Sequence, residues 1–258
     1  MGTVTKALGL LDHFSTKAPQ LGLSDFQRLT GFDKATVYRH LSALCEMGFV
    51  EQDSHNRAYR LGPSIIRLAH LREQTRPVRD IIAPIIDQLA ETLGELVHAS
   101  LLHGATLSSV YHTNPNQYGL KVDFEGFETL PMHASASGHA AMAFSEPVLL
   151  EEVIANGLPA ITQKAITSPE VLRSIIERAR QKGFSQCEEA VEIGVSAYAV
   201  PLFDADGQAN GALATAFPVS RATDQHRQRI VRELVSIAPE VSERLGGKPP
   251  ASVLEAWS

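Results

Sequence analysis

The chain has 258 residues, 44% of them apolar and 20% charged, with a formal net charge of −6. That is enough chain for one large or two ordinary domains, each with its own core. No apolar run reaches the roughly 18 residues of a membrane span, the N-terminus lacks the apolar core and cleavage site of a signal peptide, and two cysteines are too few for a disulfide framework or a CxxC metal site.

These features predict a cytoplasmic protein with reduced thiols and no membrane partner. The charge is unevenly placed. Residues 1–79 hold 11 Lys+Arg against 7 Asp+Glu, a balance of +4, and the remainder holds 12 against 22, a balance of −10. A polyanion is attracted to the first part and repelled by the second. There is no internal repeat and no low-complexity segment.

In chain order, Val4, Ala7, Leu8, Leu11 and Phe14 recur at helical spacing and predict a first helix over residues 3–14. Residues 17–22, with Pro19 and Gly22, read as a turn. Ser24 with Gln27 three residues on is a capping-box pattern opening a short second helix that ends at Gly31. Asp33 caps a third helix, whose Val37, Leu41 and Leu44 form one apolar stripe. The opposite face carries Ala35, Arg39, Ser42 and Glu46, with Thr36, Tyr38 and Ala43 at its edges. Gly48 closes this helix. Residues 49–52 and 58–61 then read as short strands around the polar turn 53–57. Two helices joined by a Gly turn, the second with a polar free face, followed by a basic-tipped hairpin, look like a winged helix-turn-helix.

On this reading Thr36, Tyr38, Arg39 and Ser42 face base edges. Arg39 suits a guanine because it can donate two parallel hydrogen bonds. Lys34 and Arg57 suit phosphates, and His40, nearer the apolar stripe, suits the core. The bland alternative for Tyr38 is a packed ring whose hydroxyl reaches solvent.

Gly62-Pro63 leads into a helix over residues 64–76, a semi-rigid connector and a possible dimer contact, stopped by Pro77. Beyond it the pattern predicts helix 81–93, interrupted near Pro84, a hairpin of strands 97–102 and 106–112, a weak strand 120–124 and a small-residue helix 137–144. Further helices follow over 147–155 and 169–180, then strands 195–202 and 211–217, a closing helix 223–245 and a frayed tail. Strands and helices mixed without strict alternation predict an α+β domain with an antiparallel sheet.

The blocks LGLSDFQRLTGFDKATVYRHLSALCEMGFVEQD, YRLGP, LPMHASASGHA, PAITQKAITS, RQKGFSQCEEAVEIGVSAYAVPLFDADG and AFPVSR resemble the IclR family of bacterial transcriptional regulators, over nearly the whole chain. The resemblance implies a winged helix-turn-helix at 1–62, a linker helix at 63–79, a GAF-like effector-binding domain at 80–249 and a tail at 250–258. It also implies homodimers or dimers of dimers on palindromic operators in double-stranded DNA, repressing or activating catabolic genes under the control of a small organic acid. No cofactor is implied.

The loop 134–138 is the predicted acid-binding element, through Ala136, Ser137 and Gly138. Small residues at a helix start leave N–H groups and dipole for a carboxylate. Where the family usually has Lys or Arg after that glycine, this chain has His139, which reads either as a group titrating near neutral pH or as a surface histidine. The resemblance puts the remaining pocket walls at Cys187, Val195, Ala197, Ala214 and Ala216, with Leu120 or Val122. Alanines leave room without hydrogen bonds, which predicts an acid with an apolar or bulky body.

Two other classes compete. Ser135, Ser137, His133 and His139 near Glu188 or Glu189 suggest a hydrolase with an appended DNA-binding domain, but no G-x-S-x-G elbow is present. His98, His103, His112, His133 and His139 suggest a metal-sensing regulator, but no H-x-x-x-H spacing is present.

Overall fold

A computed structural model describes residues 2–14, 18–75, 77–115 and 129–258. The chain divides into two compact units, Met1–Pro77 and Val78–Ser258.

In the first unit α1 covers Thr3–Leu8 and a 3-10 turn covers Leu11–His13. The expected single helix over 3–14 is therefore two pieces. At Gly9 the bonding tightens, with Leu10 N–H donating to Ala7 O, and this swings Leu10 fully into the core. Helix α2 (Leu23–Thr30) starts earlier than the Ser24/Gln27 pattern predicts, because the Asp25 carboxylate accepts from Gly22 N–H at 3.0 Å. Gly31 ends it at φ +70°, a left-handed conformation that glycine adopts without strain.

Helix α3 (Lys34–Glu46) is capped by Asp33 as expected. It closes in a Schellman turn, where Gly48 N–H donates to Cys45 O at 3.0 Å and Phe49 N–H donates to Leu44 O at 2.9 Å. Strands β1 (Val50–Gln52) and β2 (Tyr59–Leu61) pair antiparallel, and Leu21 bridges to Tyr59 on the far side. The core is Leu10, Phe26, Val37, Leu41, Leu44 and Tyr59, with Phe14 and Tyr59 edge-on to Phe26. Leu41 is fully buried, and its truncation to alanine removes about 2–5 kcal/mol. Helix α4 (Pro63–Thr75) is tied to the end of α3, since Ser64 Oγ donates to Met47 O at 2.9 Å.

In the second unit α5 (Val78–Leu93) runs through Pro84 without the expected interruption. Its buried face of Ile81, Ile82, Ile86, Leu89 and Leu93 outweighs the one backbone bond a proline forfeits. Strands β3 (Leu96–His103) and β4 (Thr106–Thr113) form the predicted hairpin. The expected strand 120–124 lies outside the described residues. Then come β5 (Thr129–Leu130), α6 (Ala136–Phe144), α7 (Pro147–Ala155), α8 (Pro169–Lys182) and β6 (Ser185–Glu188). The chain continues through β7 (Val195–Phe203), β8 (Ala209–Pro218), α9 (Asp224–Arg244) and α10 (Ala251–Trp257).

The sheet is antiparallel in the order β5-β4-β3-β8-β7-β6. One face, with Val97, Ala99, Tyr198, Val200, Leu213 and Phe217, packs on α5 and α9. The other, with Ala199, Ala212 and Ala214, receives α6. Two adjoining small-residue surfaces let helix and sheet approach closely.

The frayed tail expected at 250–258 is instead α10. Val253 is buried, Trp257 Nε1 donates to Gly183 O at 2.8 Å, and the indole meets Phe203 edge-on at 6.3 Å. Proline and glycine before the segment signal a turn, and the isolated apolar residues gain their meaning only from a partner surface. The whole is α+β: an N-terminal winged helix-turn-helix followed by a domain built on a curled antiparallel sheet.

Candidate DNA interface and effector site

Each helix turn of α3 turns one side inward. Val37, His40, Leu41 and Leu44 are buried, which leaves Lys34, Ala35, Tyr38, Arg39, Ser42 and Ala43 exposed on the other side. Tyr38 is 54% exposed, so it is a surface ring and not a packed one. Thr36 differs from expectation. Its hydroxyl donates to Asp33 Oδ2 at 2.8 Å and is held in the cap. Arg39 makes no ion pair among the described residues, whereas Arg28 is paired with Asp25 and Arg60 with Glu51.

His40 is buried, with Nε2 unpartnered among the described residues. Burial, and then the charges of Arg39 and Lys6, push its pKa down. Arg57 sits exposed at φ +60° in a turn fastened by Asp53, which accepts from His55 N–H at 2.8 Å, and by Asn56, which accepts from Ala58 N–H at 2.8 Å. The result is one helix face and one hydrogen-bonded turn, whose Lys34, Arg39 and Arg57 make no ion pair among the described residues. That surface can dock on a groove and its phosphates.

In the second unit the predicted acid-binding loop leads into α6 with Ser135 as its cap. Ser135 Oγ accepts from Gly138 N–H at 3.0 Å and Ser135 O accepts from His139 N–H at 3.0 Å. Of the first-turn amides that lack an intrahelical partner, Gly138's is thus spent on the cap, and the cradle is narrower than the loop's composition implies. Ala136 N–H faces the Cys187 thiol. A Cβ on Gly138 would lie 2.2 Å from Met132 O, so this glycine is there for close packing.

His139 corrects the sequence reading most clearly. It is a core residue with 0% exposure, and its Nε2 lies 2.8 Å from His133 O. Burial pushes its pKa down to about 4, so it is neutral at pH 7 and neither surface-lying nor titrating near neutrality.

The structure brings Ala136, Ala214, Cys187 and Ala197 into one cluster. Ala214 and Ala136 are packed shut against each other's surroundings, so these alanines do not leave the open room expected of them. Val195, Ala197 and Ala216 border the adjoining cluster of α6, α7 and α8 side chains. Val122 and Leu120 lie outside the described residues. Burial pushes the Cys187 thiol up to about 11, against the opposing pull of the Ala136 and Ala197 amides, so it is protonated and not a nucleophile.

A groove of about 250 Å3 runs between α8 and β6, and His139, Ser185 and Cys187 line it. Lys164, Arg178 and Lys182 also line it, and sequence reasoning missed all three. Arg178 and Lys182 stand at i and i+4 on α8, but that spacing alone does not say what the helix face meets.

The catalytic and metal alternatives can be weighed on these contacts. His133 Nε2 and His139 Nε2 both bond backbone carbonyls, Ser135 Oγ is a cap, Glu189 pairs with Lys164 and Glu188 with Arg227. No serine–histidine–carboxylate relay forms from them. Among the described residues no group of three or more His, Cys, Asp or Glu could hold a metal ion, and no helix of the described residues is long and apolar enough to cross a membrane.

A winged helix-turn-helix followed by a separate α+β domain defines a DNA-binding regulator with a sensing module. Residues 3–54 match the IclR helix-turn-helix domain and residues 72–243 match the bacterial transcriptional regulator IclR C-terminal domain. The chain belongs to the IclR family of bacterial transcriptional regulators.

A solved IclR-type regulator from Silicibacter sp. TM1040 is 42% identical, with 98% of this chain and 99% of that one covered at a TM-score of 0.75. The transcriptional repressor IclR of Escherichia coli K12 is 26% identical over 251 residues, 95% of this chain and 90% of that protein. The Pca regulon regulatory protein of Pseudomonas putida is 24% identical over 249 residues, 96% of this chain and 85% of that protein. These relatives are regulators of transcription.

Proposed function

We propose that the chain binds a palindromic operator in double-stranded DNA as a homodimer or dimer of dimers, acts in the cytoplasm as repressor or activator of a catabolic operon, and answers to a small carboxylate. The observation that carries the DNA half is the division of α3. Its apolar stripe is buried, and Lys34, Tyr38, Arg39 and Ser42 stand free on the opposite side, with Arg57 on the adjoining wing. Thr36 orders the first turn beside them.

Self-association is supported by exposed Val4 and Leu8 on α1 and by Ile66, Leu68 and Leu71 on α4, apolar surface that a monomer has little reason to display. Two-fold pairing places recognition helices one or more helical turns of DNA apart, which is what a palindrome mirrors. The names of the relatives, a repressor among them, agree with this role.

The effector half rests on Ser137, whose first-turn amide is not consumed by the cap, on the half-exposed Cys187, Val195 and Ala197, and on the cations bordering the adjacent groove. An acid bound there changes operator affinity only through a difference in its own affinity for the free and DNA-bound arrangements. Footprinting the chain on the intergenic DNA upstream of its own gene, with and without a panel of carboxylates, tests the whole reading. A two-fold protected site that changes with one acid supports it. Protection that no acid alters rejects the effector half, and no protection at low salt rejects both halves.

A further inference from the structure

His139 is the group that the site leaves unfinished. His133 O can only accept, so the 2.8 Å contact puts the ring proton on Nε2. Burial keeps the ring neutral, so Nδ1 carries a bare lone pair. That nitrogen is buried and has no hydrogen-bond partner among the described residues. Buried acceptors are rarely left unmet, and an unmet one beside a cavity is a place where a ligand gains affinity by donating.

His139 is among the residues bordering the groove between α8 and β6, with its side chain buried behind the groove surface. The walls there are apolar, with Ile166, Ile175 and Ala179, and the cations are exposed at its edge. Lys164 is neutralised by Glu189 and Glu188 by Arg227. Arg178 and Lys182 are left with no carboxylate partner among the described residues. At about 250 Å3 the groove suits a small molecule only.

We infer that the effector is an acid that also carries a hydroxyl or N–H group, donated to His139 Nδ1, with its acid group held by Arg178 and Lys182. This rests on the effector reading above and sharpens it. Hydroxy acids, aliphatic or phenolic, fit. Simple keto acids and alkyl acids offer no donor and do not.

The test is calorimetric titration of the full-length protein with matched acids: 3-hydroxybutanoate, butanoate and acetoacetate, and 3-hydroxybenzoate, benzoate and 3-methoxybenzoate. Within whichever series binds, the hydroxy member should bind about 5- to 150-fold more tightly, and His139→Leu should bring that ratio to near one while the donor-free acid still binds. Arg178→Ala with Lys182→Ala should weaken all members alike. If His139→Leu does not fold, 15N NMR of the wild-type imidazole replaces it: the unprotonated Nδ1 resonance moves with the hydroxy acid and not with its donor-free match. Equal affinity for hydroxy and donor-free acids overturns the inference and leaves the effector reading standing. If no acid binds, the effector reading falls and the inference with it.

Discussion

Asp33 holds Thr36 twice: Oδ1 accepts its N–H at 2.9 Å and Oδ2 accepts its hydroxyl at 2.8 Å. The same two bonds hold the Asp33 carboxyl below its usual pKa of 3.8. A depressed carboxylate contributes stability that is complete above the unfolded pKa and is lost as pH falls through the folded one. Asp33→Ala therefore lowers the thermal midpoint at pH 7, and the gap to wild type narrows as pH falls below 3.8 and through the lower folded-state pKa. Thr36→Val should cost stability more than base preference, which melts and binding assays on the same samples would separate.

The second unit is built to be acid-sensitive. His139 and His98 are buried with pKa values pushed to about 4 and about 3 from an ordinary 6.5, in both cases chiefly by burial. The dependence on pH has the same sign as for Asp33, because these folded-state pKa values also lie below the unfolded ones. Below pH 6.5 the unfolded chain takes up protons that the folded one refuses, so stability falls as pH drops from about 6.5 towards 4 and 3. Each histidine adds a slope of at most about 1.4 kcal/mol per pH unit. Urea melts between pH 7 and 5 should show that slope, and His98→Asn should remove one proton's share of it.

The terminal helix is structural. Trp257 fills the space beside the left-handed Gly183 and reaches Phe203. Trp257→Ala should cost about 1–3 kcal/mol, less than a fully buried indole because the ring is only half-buried. Deletion of residues 250–258 should cost at least as much. Chemical denaturation of both variants checks this, and a deletion as stable as wild type would mean that α10 does not dock in solution.

Gly138 is the tightest point of α6. Gly138→Ala forces a Cβ within 2.2 Å of Met132 O, a backbone atom with little freedom to retreat. Overpacking of this kind costs about 1–3 kcal/mol or more. It should also loosen the helix start that borders Cys187, which hydrogen exchange at Ala136 and Ser137 would report.

Much of this architecture could be read from residue spacing because its signals are local. The Asp33 cap, the Val37/Leu41/Leu44 stripe, Gly48 and the polar turn 53–57 each declare themselves within a few residues. What escaped depends on partners far along the chain. Strand β6, Ser185–Glu188, has no apolar alternation and becomes a strand only because β7 offers it an edge. His139 looked like a surface group because its neighbours are small, and it is buried because those small residues let the sheet come close. Ala197, Ala214 and Ala216 read as space, yet Ala214 joins Ala199 and Ala212 as packing surface for α6. The Lys164, Arg178 and Lys182 border of the groove was invisible for the same reason: its members meet only in three dimensions.

The central claim is that Arg39 reads sequence while its neighbours supply mainly attraction to the backbone. Fluorescence anisotropy with the protein's own upstream DNA and with scrambled DNA, across a salt series, measures it. Arg39→Ala should cost about 1–3 kcal/mol on the specific site and little on the scrambled one, whereas Lys34→Ala should weaken both alike and lower the salt slope by about one. If Arg39→Ala leaves the specific-to-scrambled ratio unchanged, α3 is not the element that reads the operator.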